Sequence, residues 1–238
     1  MSEWGAQHLQ AVWFIHPRET DAASIFAAIV GAKPDNALQM TVGSVLATGS
    51  NGISLFQVQT QPGRIDYFES AIPSSPAEFP LIVDVKKAIG AFTSRILNGS
   101  QSVGAAQRLA VVVTLCKQVE SPSEAVQILD SLVGAHIPFS DASDINFQIN
   151  RRRPIPGRDD LLMNRLFRMQ PQIVQQIDTI NQSRPVAQTI NIACIVVDCN
   201  TYSPTVLTLE PSEQIPIWKE LALEVERLCD AKSIKALG

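Results

Sequence analysis

The strongest chemical signal in the sequence is a cluster of arginines beyond its midpoint. Six arginines against two aspartates give residues 151–168 a net charge of +4, whereas the whole chain has a net charge of -4. A guanidinium group binds phosphate or carboxylate through two parallel hydrogen bonds, so the pattern is typical of an anion-binding segment. The sequence predicts an anion- or partner-binding surface formed by Arg151, Arg152, Arg153, Arg158, Arg165 and Arg168. The alternative is a solvated segment whose arginines pair with the excess carboxylates of the chain.

Nucleic acid is one anion that this segment could bind. Platforms for single strands interleave aromatic side chains with basic ones, yet Phe167 is the only aromatic residue between positions 151 and 188. The acidity of the whole chain also argues against broad nucleic-acid binding. A protein partner is therefore the preferred ligand, and binding of nucleic acid or phosphate remains an alternative.

His8 and Glu69 are the candidates for metal ligation. Imidazole and carboxylate suit a divalent cation, and the two residues lie near the ends of predicted strands. Residues 8–31 resemble the opening of glyoxalase-type modules, and this resemblance implies a metal-dependent enzyme with His8 and Glu69 as ligands. The second half departs from that pattern, because Gln107 stands where a ligand is expected and the last strand ends without glutamate. We therefore predict no metal site, with the metalloenzyme as an alternative.

Other enzyme signals are weak. The sequence has no glycine-rich phosphate loop and no HExxH, GxSxG or CxxC motif. Two of its four cysteines, Cys194 and Cys199, lie five residues apart in a strand-like run, so we expect them on opposite faces and not in a disulfide or metal pair. These observations predict a non-enzymatic protein with reduced core cysteines and no cofactor.

Composition sets the broad class of the protein. Of 238 residues, 45% are hydrophobic and 18% are charged, which excludes a disordered chain because enough apolar surface is present to offset the ordering entropy. The longest apolar runs are too short to span a bilayer, so no membrane interaction is predicted. The first residues lack the basic and apolar regions of a signal peptide, and we expect a cytoplasmic protein.

The elements that would position these residues follow a repeated pattern. An apolar strand at 9–15 precedes a helix with apolar residues at positions 22, 25, 26, 29 and 30, and Gly31 is placed to end it. A strand at 109–115 precedes a second helix opened by the capping box of residues 121–124. A shift of 103 residues aligns Ala22 with Ala125 and superposes the two helices.

Each of these helices is followed by further strands and a long helix. The predicted strands of the first half are at 40–48, 53–60 and 64–72, and a helix opens at Pro80; those of the second half are at 144–150 and 189–197, and a helix opens at Pro216. The second half is longer by about 33 residues, which we place in an irregular arginine-rich insertion at 151–188. Within it, residues 161–180 favour two short helices over a strand.

The predicted fold is therefore α+β. Two tandem β-α-β-β-β-α halves, residues 1–103 and 104–238, form a continuous antiparallel sheet with long helices packed on one face, as one compact unit. In layout this resembles TATA-binding-protein-like and helix-grip folds. No motif residue carries the resemblance, so it implies an architecture and not a function.

Two strands suggest that the other face of the sheet is also covered. Residues 109–115 and 190–197 are nearly continuous apolar runs, whereas a strand with one wet face should alternate. The insertion, a second copy of the chain or another protein could provide the cover. We therefore predict a protein-binding or assembly module, a subunit of a homo-oligomer or multiprotein complex, that uses this face and the arginine segment.

Overall fold

The computed structural model describes residues 3–73, 79–133, 145–178 and 186–238, which contain nine strands, four α-helices and a short 3₁₀ helix. In chain order these are β1 Gly5–Phe14, α1 Ala22–Val30, β2 Asn36–Thr41, β3 Ser44–Ser50, β4 Ser54–Gln61, β5 Arg64–Ala71, α2 Val85–Val103, β6 Arg108–Val119, α3 Pro122–Val133, β7 Phe147–Ile155, β8 Arg158–Asp178, β9 Val186–Tyr202, α4 Pro211–Ala231 and the 3₁₀ helix Ile234–Leu237.

All nine strands belong to one sheet in the order β2-β3-β4-β5-β1-β6-β9-β8-β7. Every neighbouring pair is antiparallel, so the predicted α+β class with an antiparallel sheet is confirmed. β1 lies in the middle and pairs with β6, the first strand after the long helix α2. The first strand of the chain and a strand from near its midpoint therefore meet at the centre of the sheet.

The helices of the described residues pack on one face of this sheet. Trp13 of β1 makes an edge contact with Trp218 of α4, with ring centres 4.9 Å apart, and both side chains are fully buried. Tyr67 of β5 stacks on Phe92 of α2 at 5.2 Å. The same face holds the main hydrophobic core, to which every other residue of the central strands contributes. In the described part of the chain, no helix is both long and apolar enough to cross a membrane.

Side-chain caps fix where the two long helices begin. Asp84 accepts a hydrogen bond from the Lys87 N–H at 3.1 Å and caps α2, and a capping box between Glu210 and Glu213 opens α4. The predicted helix starts at Pro80 and Pro216 are therefore wrong: α2 begins after Asp84, and Pro216 lies inside α4. A capping side chain accepts hydrogen bonds from the free N–H groups of the first turn and so stabilises the helix start. Proline is accepted in the first turn because it lacks an N–H, but it does not itself set where the helix begins.

The predicted strand at 40–48 is two strands in the structure. Gly43, with φ +77°, makes a tight turn between β2 and β3, and Thr41 pairs with Ser44 across it. The extra strand β2 becomes an edge of the sheet.

The arginine-rich segment is also regular, contrary to the predicted irregular insertion. Residues 147–178 form β7 and β8, joined at Gly157. Two short helices were predicted for residues 161–180; residues 161–178 belong to the single strand β8, and 179–180 lie outside the described residues. Leu161, Met163, Phe167 and Met169 alternate with residues on the other face, and pairing with β7 and β9 selects this period of two. The division of the chain into two related halves stays a prediction.

Candidate functional site

The face of the sheet opposite the helices carries a continuous set of polar side chains. Its first part lies on β5 and β1, where Arg64 donates two hydrogen bonds of 2.7 Å to the Asp66 carboxylate. Gln10 of β1 donates to the same carboxylate at 2.7 Å. The guanidinium groups of Arg64 and Arg108 then lie 5.4 and 5.0 Å from the centre of the Phe14 ring, which connects β5 to β6. Three strands are thereby joined through polar and cation–π contacts.

The second part of the set extends across β6, β9, β8 and β7. Arg108 and Asn164 each donate to the side-chain oxygen of Asn200 at 2.8 Å, and Asn200 donates to Asp198 at 2.8 Å. Arg152 of β7 donates to the side-chain oxygen of Asn164 at 2.9 Å. Six adjacent strands therefore contribute to one chain of contacts.

We call this set the polar strip. It includes Tyr202, whose ring centre lies 4.0 Å from the Arg152 guanidinium carbon, and Arg168, whose charge acts on Asp198. Its members are Gln10, Phe14, Arg64, Asp66, Arg108, Arg152, Asn164, Arg168, Asp198, Asn200 and Tyr202.

The polar strip is positively charged, because four arginines stand against two aspartates. Burial raises the pKa of Asp198, although the Asn200 hydrogen bond and the charges of nearby arginines, Arg108 foremost, act in the opposite direction. The hydrogen bond with Asp66 raises the pKa of Arg64. Arg108 and Arg152 instead donate to neutral asparagine oxygens, so neither forms an ion pair among the described residues. Both arginines are exposed at the surface.

Strand alternation divides the six arginines predicted from the sequence. Arg152 and Arg168 lie on the open face, because they pair with Asn164 and Val196 there. Arg151, Arg153 and Arg165 lie on the helix side, and Arg158 stands beside the β7–β8 turn, where it bonds Asp160 at 2.8 Å. The structure therefore brings only two of the predicted arginines into the polar strip.

Two of the remaining arginines form a structural cluster with α4. Arg165, whose side chain is 8% exposed, lies 3.3 Å from Glu224, and Arg153 reaches the same carboxylate at 3.2 Å. Arg227 adds a contact of 2.6 Å. Burial alone would raise the pKa of Glu224, but hydrogen bonding by Arg227 and the arginine charges outweigh it, and the pKa is lowered. For Arg153 and Arg165, pairing with a carboxylate of the chain is the arrangement that the structure shows.

His8 and Glu69 lie on opposite faces of the sheet. His8 pairs with Ser70 and points to the open face, where Thr114 is 3.2 Å away, whereas Glu69 pairs with Leu9 and points to the helices. Glu69 is buried and contacts Arg95 at 2.7 Å. The two candidates therefore cannot hold one metal ion together, and in the described residues no cluster of three or more potential ligands occurs.

A short segment of the chain covers one end of the open face. Phe79 and Leu81 pack on Cys116, Ile190, Ile192 and Cys194, which form a second small core. Ile82 pairs with Ala6 through backbone hydrogen bonds of 2.9 and 2.8 Å and fixes this segment. Part of the cover expected over β6 and β9 thus comes from the residues that precede α2.

Sequence reasoning missed most of the polar strip. Arg64 and Asp66 are two positions apart, as are Asp198, Asn200 and Tyr202, so each group shares one face of its strand. This alternation of polar residues was the sequence signal that could have predicted a polar face on these strands. Which groups would become neighbours depended on strand order, since Gln10 and Asn200 lie far apart in the chain.

A small cavity adjoins the polar strip at the ends of β6 and β9. Its volume is about 230 Å³, and Arg108 and Tyr202 line it together with the exposed Val206. Comparison with known proteins adds no family assignment: no family model matches the chain, and no curated protein is significantly similar to it.

Proposed function

We propose that this protein is a non-enzymatic protein-binding module, a subunit of a larger assembly, that binds an acidic segment of its partner on the polar strip. The observation that carries this proposal is the placement of four guanidinium groups on one face of the sheet, opposite the helices of the described residues, in a chain with a net charge of -4. Arg108 and Arg152 are held in position by asparagine oxygens, so they are oriented without being neutralised.

The aromatic side chains favour an acidic protein segment over a nucleic acid. Single strands bind on aromatic faces against which bases stack. In this structure the Phe14 ring is already in cation–π contact with Arg64 and Arg108, and the Tyr202 ring with Arg152. These rings therefore support arginines, whose outward N–H groups match carboxylates in bidentate geometry. The 230 Å³ cavity beside Arg108 offers room for one neighbouring side chain of the partner.

The strand order supports the finer architecture as part of the proposal. β1 and β6 are central neighbours, and each is followed in sequence by a helix, then strands, then a long helix. We propose that the chain consists of two related halves arranged as in TATA-binding-protein-like and helix-grip layouts. The polar strip then spans the junction between the halves.

Binding of a fluorescein-labelled octaglutamate peptide, followed by fluorescence anisotropy, tests the proposal. We expect binding that weakens with salt and is reduced about ten-fold or more by Arg108→Ala or Arg152→Ala, because each removes a charge-assisted hydrogen bond. Arg151→Ala is the matched control: Arg151 is an exposed neighbour on the same strand but lies on the helix side. It should leave the affinity unchanged.

Two results would count against the proposal. Equal losses in Arg151→Ala and Arg152→Ala would show that net charge, and not the polar strip, attracts the peptide. Tighter binding of a labelled single-stranded oligonucleotide than of octaglutamate would replace the acidic protein with nucleic acid as the ligand.

A further inference from the structure

Another cavity lies on the helix side of the sheet, between the start of α2 and the end of α4. Its volume is about 620 Å³, and most of its wall is apolar. Its floor consists of side chains that belong to the main hydrophobic core or pack on it, namely Trp4, Ile89, Leu115 and Cys229. Cavities of about 300–1,000 Å³ with largely apolar walls are typical sites for small organic molecules. The size and the lining of this cavity therefore suit such a ligand.

Two exposed apolar side chains stand at the mouth of the cavity. Val83, which precedes the Asp84 cap of α2, is 67% exposed, and Leu223 of α4 is 60% exposed. They belong to different walls, so one molecule in the mouth would contact both and remove their apolar surface from water. Exposed apolar groups around a pocket with a core-lined floor are a second observation that indicates a ligand.

The charges at the mouth balance one another. Among the described residues, three acidic and three basic side chains line it: Asp84, Glu226, Asp230, Lys86, Arg227 and Lys232. Lys86 contacts Glu226 at 2.9 Å and links α2 to α4, and Arg227 contacts Glu224 at 2.6 Å. An ion that entered the apolar floor would lose its hydration without gaining an unpaired counter-ion from these groups. The charge pattern therefore favours an uncharged ligand.

We propose that this cavity binds a small, uncharged, mainly apolar molecule. The body of the ligand lies on Trp4, Ile89 and Leu115, and its outer end contacts Val83 and Leu223. The inference is independent of the proposed acidic partner, because the polar strip lies on the other face of the sheet. Ligand and partner could bind at the same time.

Two dyes that differ by one charge test the class of ligand. N-phenyl-α-naphthylamine is uncharged near neutral pH, and anilinonaphthalene sulfonate has the same rings with one sulfonate added. We expect the uncharged dye to give a saturable fluorescence increase with a dissociation constant on the order of ten micromolar. The sulfonate should bind in this cavity about ten-fold more weakly or less, because its charge would be desolvated there. Equal or tighter binding of the sulfonate in this cavity would overturn the proposed class.

The tryptophan indole signals show where the dyes bind. The chain has three tryptophans, of which Trp4 lines the cavity, whereas Trp13 and Trp218 are fully buried and do not line it. In a proton–nitrogen correlation NMR spectrum, the uncharged dye should shift the Trp4 indole signal, assigned with Trp4→Phe, and leave the other two in place. Saturable binding that leaves the Trp4 signal unmoved would overturn the site.

The substitution Leu223→Asp tests the mouth of the cavity. It places a charge against the bound apolar molecule, so we expect the affinity for the uncharged dye to fall about ten-fold. Ile173→Asp is the matched control, because Ile173 is also 60% exposed and lies outside the cavity, and it should bind as the wild type does. Circular dichroism should show that both variants remain folded.

Two further results would overturn the inference. One is equal affinity of Leu223→Asp and Ile173→Asp for the uncharged dye, and the other is the absence of saturable binding by the wild type. Neither would bear on octaglutamate binding, which concerns the opposite face of the sheet.

Discussion

Replacing Glu224 by glutamine separates the structural arginines from the binding arginines. The substitution keeps the shape of the side chain and removes a charge that is 3% exposed and contacted by Arg153, Arg165 and Arg227. Arg153 and Arg227 are partly exposed and can turn toward water, but Arg165 is held at 8% exposure. In Glu224→Gln, the buried guanidinium group of Arg165 would therefore have lost the carboxylate with which it pairs.

The size of the effect follows from that burial. Removing one partner of a buried ion pair costs about 3–5 kcal/mol, and the solvent access of two of the three arginines favours the lower end, about 3 kcal/mol. For a chain of this length, each kcal/mol lowers the melting temperature by about 2–4 °C, so we expect a decrease of about 6–12 °C. The two substitutions Arg165→Met and Glu224→Met together should recover most of this loss, because no unpaired buried charge remains.

Urea unfolding followed by the fluorescence of the buried tryptophans gives the measurement. Glu220→Gln is the matched control: it lies on the same helix, 4.0 Å from Arg153, and is partly exposed, so it should cost less than about 1 kcal/mol. The folded pKa of Glu224 is lowered, so its contribution is present above the ordinary pKa of 4.5 and is lost as the pH falls through the folded value. The difference between wild type and Glu224→Gln should therefore shrink in acid.

Equal unfolding free energies for Glu224→Gln and Glu220→Gln at pH 7 would refute this reasoning. Arg165 would then not depend on Glu224 for its burial, and it would return to the set of candidate binding residues.

Three further predictions concern packing, charge and thiol access. Gly99→Ala should lower the free energy of unfolding by about 1–3 kcal/mol, because the new Cβ would lie 2.2 Å from the Ile29 side chain. Gly90→Ala on the same helix meets open space and should raise that free energy by about 0.5–1 kcal/mol. Urea unfolding measures both. Asp198→Asn should tighten octaglutamate binding about three- to five-fold at pH 7.5 by removing a negative charge from the polar strip. Burial raises the pKa of Asp198, so the difference in affinity between wild type and Asp198→Asn should shrink as the pH falls through the folded pKa of this group. A thiol reagent should label none of the four cysteines in the native protein and all four after denaturation, because each is buried.

Local patterns in the sequence were sufficient to predict the α+β class and most elements. The helices α1 and α3 follow directly from apolar residues spaced for one helix face, and α1 ends at Gly31 in the left-handed conformation. Strands β4, β5 and β6 follow from apolar and β-branched runs bounded by turns. Helix starts were predicted less well, since a side-chain cap such as that of Asp84 is set by local hydrogen bonding and not by the nearest proline.

The sequence by itself determined that the protein has an arginine-rich segment, but only the tertiary structure decided what each arginine does. Neighbours in a strand point to opposite faces, so Arg152 joins the polar strip while Arg153 pairs with Glu224. β8 was ambiguous because its apolar spacing suits both a helix and a strand, and pairing with β7 and β9 resolved it. The polar strip depends on the same long-range pairing: Gln10, Arg108 and Asn200 become part of one surface only when β1, β6 and β9 lie side by side.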